Sequence, residues 1–218
     1  MKKKVPPIKG TAYKEPFPHL IVENFYNDEE LELVWEELKF LTKPGKLLEA
    51  KHFGGIEDAT NSHALCLDSI YRDYSDDDDE GPNYRKISNI LTVNRKLFNS
   101  NILNQFSKIH DSCITITKCD SDTTKVRYYH DGEYYDPHTD ACMSFLAFSY
   151  FHKEPKKFKG GDLIFPRYNC QLTCDNNSMI ILPGWVEHGV TKVSIEDSDY
   201  YDGWGRYSIT SFLQFDND

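Results

Sequence analysis

Apolar residues recur at helical spacing most clearly near the start of the chain. Leu31, Val34, Trp35, Leu38 and Leu41 fall on one face. Asn27, with Glu30 three residues on, has the form of a capping box, and Pro44 with Gly45 supplies a stop, so a helix is predicted between them. Residues 19–22 ahead of it read as a short strand. Between Tyr84 and His110, the apolar positions Ile87, Ile90, Leu91, Leu97, Ile102, Phe106 and Ile109 predict one or two further amphipathic helices. The intervening stretch 43–83 shows little periodicity, and its acidic run at 76–80 reads as a solvated loop. Residues 1 to about 15 are basic and contain proline, which predicts a loosely held arm.

Beyond residue 111 the period changes. Short runs at 114–117, 126–129, 144–151, 162–165, 178–182, 190–193 and 206–215 read as strands, separated by Gly, Pro and Asn. Helices first and many short strands later predict a mainly β domain with buttressing helices, an antiparallel sandwich or barrel. The whole chain, 1–218, reads as a single domain: the arm, a strand and supporting helices over 16–110, and a β core over 111–218.

Composition narrows the classes. Lys and Arg total 25 against 35 Asp and Glu, giving a formal charge of −10, so a general nucleic-acid surface is not expected. No apolar run approaches the roughly 20 residues of a membrane span. The lysines after Met1 are followed by prolines rather than an apolar segment, so a signal peptide is not expected and a cytoplasmic chain is. In that setting the six cysteines are expected to be reduced thiols. The 14 Tyr and 13 Phe suit an aromatic-lined β core.

The densest chemistry lies at residues 128–140. In an extended segment His138 and Asp140 share a face, so one imidazole and one carboxylate can grip one ion. His188 is the best third ligand. Two histidines and a carboxylate leave coordination positions open, which suits non-haem Fe(II) and oxygen chemistry. By itself a His-x-Asp pair is common on surfaces, and His188 alone reads as an ordinary loop histidine.

The ordered set of motifs says more. Tyr129, Gly132, Tyr135, Pro137, His138 and Asp140 match the pattern of the Fe(II)- and 2-oxoglutarate-dependent oxygenases, and the chain resembles their prolyl 4-hydroxylase-like branch. The stretch from Gly160 and Gly161 to Phe165 and Pro166 is similar to a motif of that branch. His188, 50 residues after His138, stands at the distal-histidine position. Arg206 and the residues after it resemble the strand whose basic residue binds the far carboxylate of 2-oxoglutarate. One departure is that Arg206 lies 18 positions after His188 rather than about ten, with the insert 194–205 between them, read as a longer hairpin loop. Lys192 is the alternative partner.

The resemblance implies a double-stranded β-helix (jelly-roll) core. It implies an enzyme using Fe(II), O2 and 2-oxoglutarate, with ascorbate as a further cofactor, that yields succinate and CO2. The implied metal ligands are His138, Asp140 and His188. Arg206 would hold the cosubstrate, with Tyr129 and Tyr150 beside it. Tyr135 and Trp204 would offer flat faces to a proline-containing peptide or protein, under loops at 52–82 and 194–205. Thr210 and Phe212, on the inward alternation of the last strand, would line the pocket. The rival readings are a hydroxylase of a free amino acid or other small molecule, an inactive binding module of the same fold, a nucleic-acid demethylase and a zinc hydrolase. The last of these leaves Arg206 without a task.

Overall fold

The computed structural model describes residues 5–43, 45–53, 56–71, 84–99, 101–140 and 144–215. Its longest strands are β4 (Ser121–Tyr129), β6 (Phe145–Phe151), β9 (Ser178–Pro183) and β11 (Arg206–Gln214). They form the centre of a seven-stranded antiparallel sheet in the order β1-β2-β9-β6-β11-β4-β3, where β1 is Lys9–Tyr13, β2 His19–Glu23 and β3 Ala64–Cys66. A second sheet of four short strands runs β5-β10-β7-β8, comprising Tyr135–His138, His188–Val190, Leu163–Phe165 and Cys170–Leu172. This is the expected mainly β jelly roll with buttressing helices.

Strand alternation divides the core in two. Val126, Tyr128, Ala147, Phe151, Tyr207, Ile209 and Leu213 face the helices, where Val34, Leu38, Ile90, Leu103 and Phe106 meet them. Tyr129, Leu146, Phe148, Tyr150 and Phe212 face the other way, against Leu163, Phe165 and Val190 of the second sheet. The cavity described below lies on that second side.

The helix α1 (Asp28–Leu41) begins at the expected capping box, with Asn27 and Glu30 bonding each other's backbone N–H. It ends one residue before Thr42, whose hydroxyl donates to the Leu38 carbonyl, rather than at Pro44, which lies outside the described residues. The short helices α2 (Ala50–Phe53) and α3 (Leu67–Tyr71) occupy part of the stretch expected to be aperiodic. The helical region after Tyr84 is broken into α4 (Asn89–Asn94), α5 (Asn101–Ser107) and 3-10 turns. Glu37 of α1 ties these pieces together: buried, it accepts from the Tyr71 and Ser88 hydroxyls and from the Ile90 N–H.

Several sequence expectations are corrected. Residues 114–117 are not a strand; they belong to the 3-10 helix Asp111–Lys118, in which Cys113 and Ile116, three apart, are the buried pair. Lys9–Tyr13, expected in a loose arm, is an edge strand paired with β2. The insert 194–205 is not a hairpin loop but carries helix α6 (Asp197–Tyr201). The acidic run 76–80 and Cys142 lie outside the described residues, and the five described cysteines are free thiols. Among the described residues no helix is long and apolar enough to cross a membrane.

Candidate metal centre

The pairing of β5 with β10 sets His138 directly opposite His188. This register requires a glycine at 189, because a Cβ there would meet the Tyr135 carbonyl oxygen at 2.8 Å. Asp140 follows β5, and its carboxylate lies 3.5 Å from His188 Nε2 and 3.9 Å from His138 Nε2. One ligand atom from each of the three falls within 4.8 Å of the others, a spacing that can hold a metal ion.

Both imidazoles are oriented by the same device. His138 Nδ1 lies 2.8 Å from the Asp136 carbonyl oxygen and His188 Nδ1 2.9 Å from that of Val186. Each Nδ1 thus donates to a carbonyl and leaves Nε2 as the lone-pair donor facing Asp140. Burial, then the neighbouring His188, pushes the His138 pKa below its ordinary value, keeping it in the neutral form a metal needs. For Asp140, burial alone would raise the pKa; His188, His138 and Arg127 outweigh it and hold the carboxyl ionised.

These residues line one cavity, open at its mouth. Arg206 is buried in its wall. Its Nε donates to the Gly161 carbonyl at 2.6 Å and an Nη2 hydrogen points to Cys174 Sγ at 3.6 Å, while the guanidinium sits 4.5 Å from the Tyr129 ring centre and 5.1 Å from that of Tyr150. Gly161, at φ +73°, admits this arrangement because a Cβ would lie 2.4 Å from Arg206 Cδ. Beside each other in this wall, Arg206 Nη1 and the Tyr150 hydroxyl find no hydrogen-bond partner among the described residues. A buried guanidinium N–H and a buried phenol left in this way call for an acceptor. A carboxylate fits both, so the donor set agrees with a metal at one end and a dicarboxylate reaching toward the other.

The structure brings together His138, Asp140, His188, Arg206, Tyr129, Tyr150, Tyr135, Thr210 and Phe212 around one cavity. Tyr135 stacks on His138 with ring centres 3.9 Å apart. Trp204 does not join them: it lines a separate surface groove with Trp35 and sits under Lys153 and Lys157. Nor does the insert 194–205 reach the cavity lining; α6 instead docks on the far side, through Tyr200 stacked on Tyr128. Lys192 is exposed beside Tyr134, outside that lining. Of the two loop candidates, only 52–82 touches the mouth. Ile56 lines the cavity and donates its N–H to the Tyr135 hydroxyl, and Thr60 bridges to the Tyr135 backbone. Six lining residues were missed, Lys125, Arg127, Phe148, Leu163, Val190 and Ser208, of which Lys125, Arg127 and Ser208 share the inward faces of β4 and β11. The period-two alternation from Tyr129 and Arg206 could have found those three.

Comparison with known proteins agrees with this geometry. The family model of the 2OG-Fe(II) oxygenase superfamily matches residues 124–214, the segment from β4 to the end of β11. No curated protein matches the chain. Among solved structures, a Pseudomonas putida prolyl-4-hydroxylase has a TM-score of 0.56 at 12% identity, covering 91% of this chain and 93% of that one. A 2OG-Fe(II) oxygenase-family oxidoreductase from Burkholderia pseudomallei has a TM-score of 0.57 at 13% identity, covering 91% and 86%. A viral collagen prolyl hydroxylase from Paramecium Bursaria Chlorella virus-1, in a 2OG complex, has a TM-score of 0.51 at 12% identity, covering 91% and 96%. At such identities these likenesses carry the fold.

Proposed function

We propose that this chain, whose core segment 124–214 belongs to the 2OG-Fe(II) oxygenase superfamily, is an Fe(II)- and 2-oxoglutarate-dependent dioxygenase that hydroxylates proline within a peptide or protein. The observation that carries the reading is the pairing, in one cavity, of a His-Asp-His donor set with a buried arginine whose Nη1 has no acceptor among the described residues. When bound, iron and 2-oxoglutarate supply the activation of O2 that oxidises a C–H bond, with release of succinate and CO2.

The chain's own residues do the rest. His138, Asp140 and His188 offer Nε2, a carboxylate oxygen and Nε2 from one side, leaving the other side open. Arg206 takes the far carboxylate of 2-oxoglutarate in a charge-assisted pair, and the Tyr150 hydroxyl donates to the same group. Burial raises the Tyr150 pKa far above its ordinary value, so this hydroxyl keeps its proton. Tyr129 packs beneath the guanidinium. Phe148, Leu163 and Val190 wall the space between and exclude water. The Tyr135 ring, fixed on His138 and lining the cavity, offers a flat face to a pyrrolidine ring. The intact donor set and Arg206 stand against an inactive binding module.

The test is anaerobic loading with Fe(II) and 2-oxoglutarate, then O2, with a panel of proline-containing peptides and free L-proline. Succinate should form with the gain of one oxygen atom on a peptidyl proline. Turnover of free proline at least as fast as any peptide would move the substrate to the small-molecule class.

A further inference from the structure

Beyond its part in holding Asp140 ionised, Arg127 has no task in the reading above, yet it lines the same cavity while only 6% exposed. Strand register explains where it points. On β4 the inward positions are Lys125, Arg127 and Tyr129, paired across to Thr210, Ser208 and Arg206 of β11. Arg127 is thus one inward step, about 7 Å of strand, from the Tyr129–Arg206 pair. The two guanidinium groups also turn apart. Arg206 is directed to Gly161 and Cys174, whereas an Arg127 Nη1 hydrogen points to Thr210 Oγ1 at 3.4 Å and its guanidinium stands 5.7 Å from the Tyr135 ring centre. Tyr135 in turn lies on the ligand His138. Lys125, one further step along β4, is half-buried over Phe212. In a chain of net charge −10, the described lining of this cavity carries three cations, Lys125, Arg127 and Arg206, against one carboxylate, Asp140.

We propose that Arg127, assisted by Lys125, is a specificity-determining residue that binds a carboxylate of the substrate. The inference rests on the dioxygenase reading and deepens it. The substrate presents an anionic group next to the position that is oxidised, and Arg127 anchors it on the metal side of the cavity. Guanidinium suits that task because it holds a carboxylate through two parallel hydrogen bonds in a fixed plane. Two sources supply such a carboxylate: an acidic side chain flanking a peptidyl proline, or the carboxylate of a free amino acid.

The experiment compares two capped pentapeptides with a central proline, one flanked by Glu and one by Gln, together with free L-proline. Binding is measured by calorimetry to protein loaded anaerobically with Fe(II) and 2-oxoglutarate, so that no turnover intervenes. The Glu peptide should bind about 30-fold more tightly than the Gln peptide, the scale of one desolvated charge pair. In Arg127→Gln that ratio should fall below about threefold, and Arg127→Lys, which keeps the charge but not the fork, should restore part of it. If instead free L-proline is the ligand that weakens about 30-fold in Arg127→Gln, the proposal stands with the free amino acid as the source.

Equal affinity of wild-type protein for both peptides, with free proline binding to Arg127→Gln and Arg127→Lys as it does to wild type, overturns the proposal. So does a collapse of 2-oxoglutarate affinity in Arg127→Gln, because Arg127 would then serve the cosubstrate. Failure of wild-type protein to bind Fe(II) and 2-oxoglutarate at all sinks the dioxygenase reading itself, which separates the two failures.

Discussion

Arg206 carries a charge that is 2% exposed, with two of its donor directions met by Gly161 and Cys174 and a third, Nη1, open. A group so placed gains most from a matched anion, because desolvation has already been met on folding. Replacing it with Ala should weaken 2-oxoglutarate binding by about 2–5 kcal/mol while leaving metal content intact. Calorimetry of both variants checks this against Lys192→Ala, which should bind normally; the reverse ranking would move the cosubstrate contact to Lys192. At this scale the residues whose type a motif fixed, His138, Asp140, His188 and Arg206, do meet around one cavity. Trp204 was misplaced because composition cannot say which way an insert folds. Its indole N–H is taken by Asp202 and its ring by two lysines, on a different surface.

Elements are held by single polar side chains at their ends. Glu37 spans α1, α3 and the start of α4 with three accepted hydrogen bonds, so Glu37→Ala leaves two hydroxyls and an amide without an acceptor. A loss of about 3 kcal/mol in denaturant unfolding is expected, against about 1 kcal/mol for Asn27→Ala at the α1 cap. The hairpin of β1 and β2 adds a pH response. His19 is buried between Tyr13 and Phe17, and burial pushes its pKa below the ordinary value of 6.5. The unfolded chain therefore binds that proton first. His19 favours the folded state fully above pH 6.5, and this contribution fades as pH falls below that value. Urea midpoints across pH 5 to 8 should show the slope, and His19→Phe should flatten it.

The same scale explains what sequence periodicity found and lost. The strands β4, β6 and β11 were legible because each has one face toward helices and one toward the cavity. The three-residue strands β3 and β8 are too short to show a period. The run at 114–117 misled through its alternating isoleucine and threonine. Its true period is three, with Ile116 buried and Ile114 65% exposed.

For the whole molecule, the two sheets are unequal partners. The large sheet has central strands of six to nine residues and is buttressed by helices, whereas the second sheet is built of strands of three and four. Both histidines of the candidate metal site belong to that second sheet, on adjacent strands at a shared register position. An ion held there is therefore a removable rivet through the weaker of two plates. Local opening free energies should then diverge with metal content. In hydrogen-exchange mass spectrometry, amides of residues 135–138 and 188–190 should exchange more slowly once Mn(II) is added, while those of β6 and β11 keep their rates. His188→Ala should erase the difference. Chelation would leave a molecule whose large sheet keeps time as before while its small one breathes, and the quick amides would map where the ion had been.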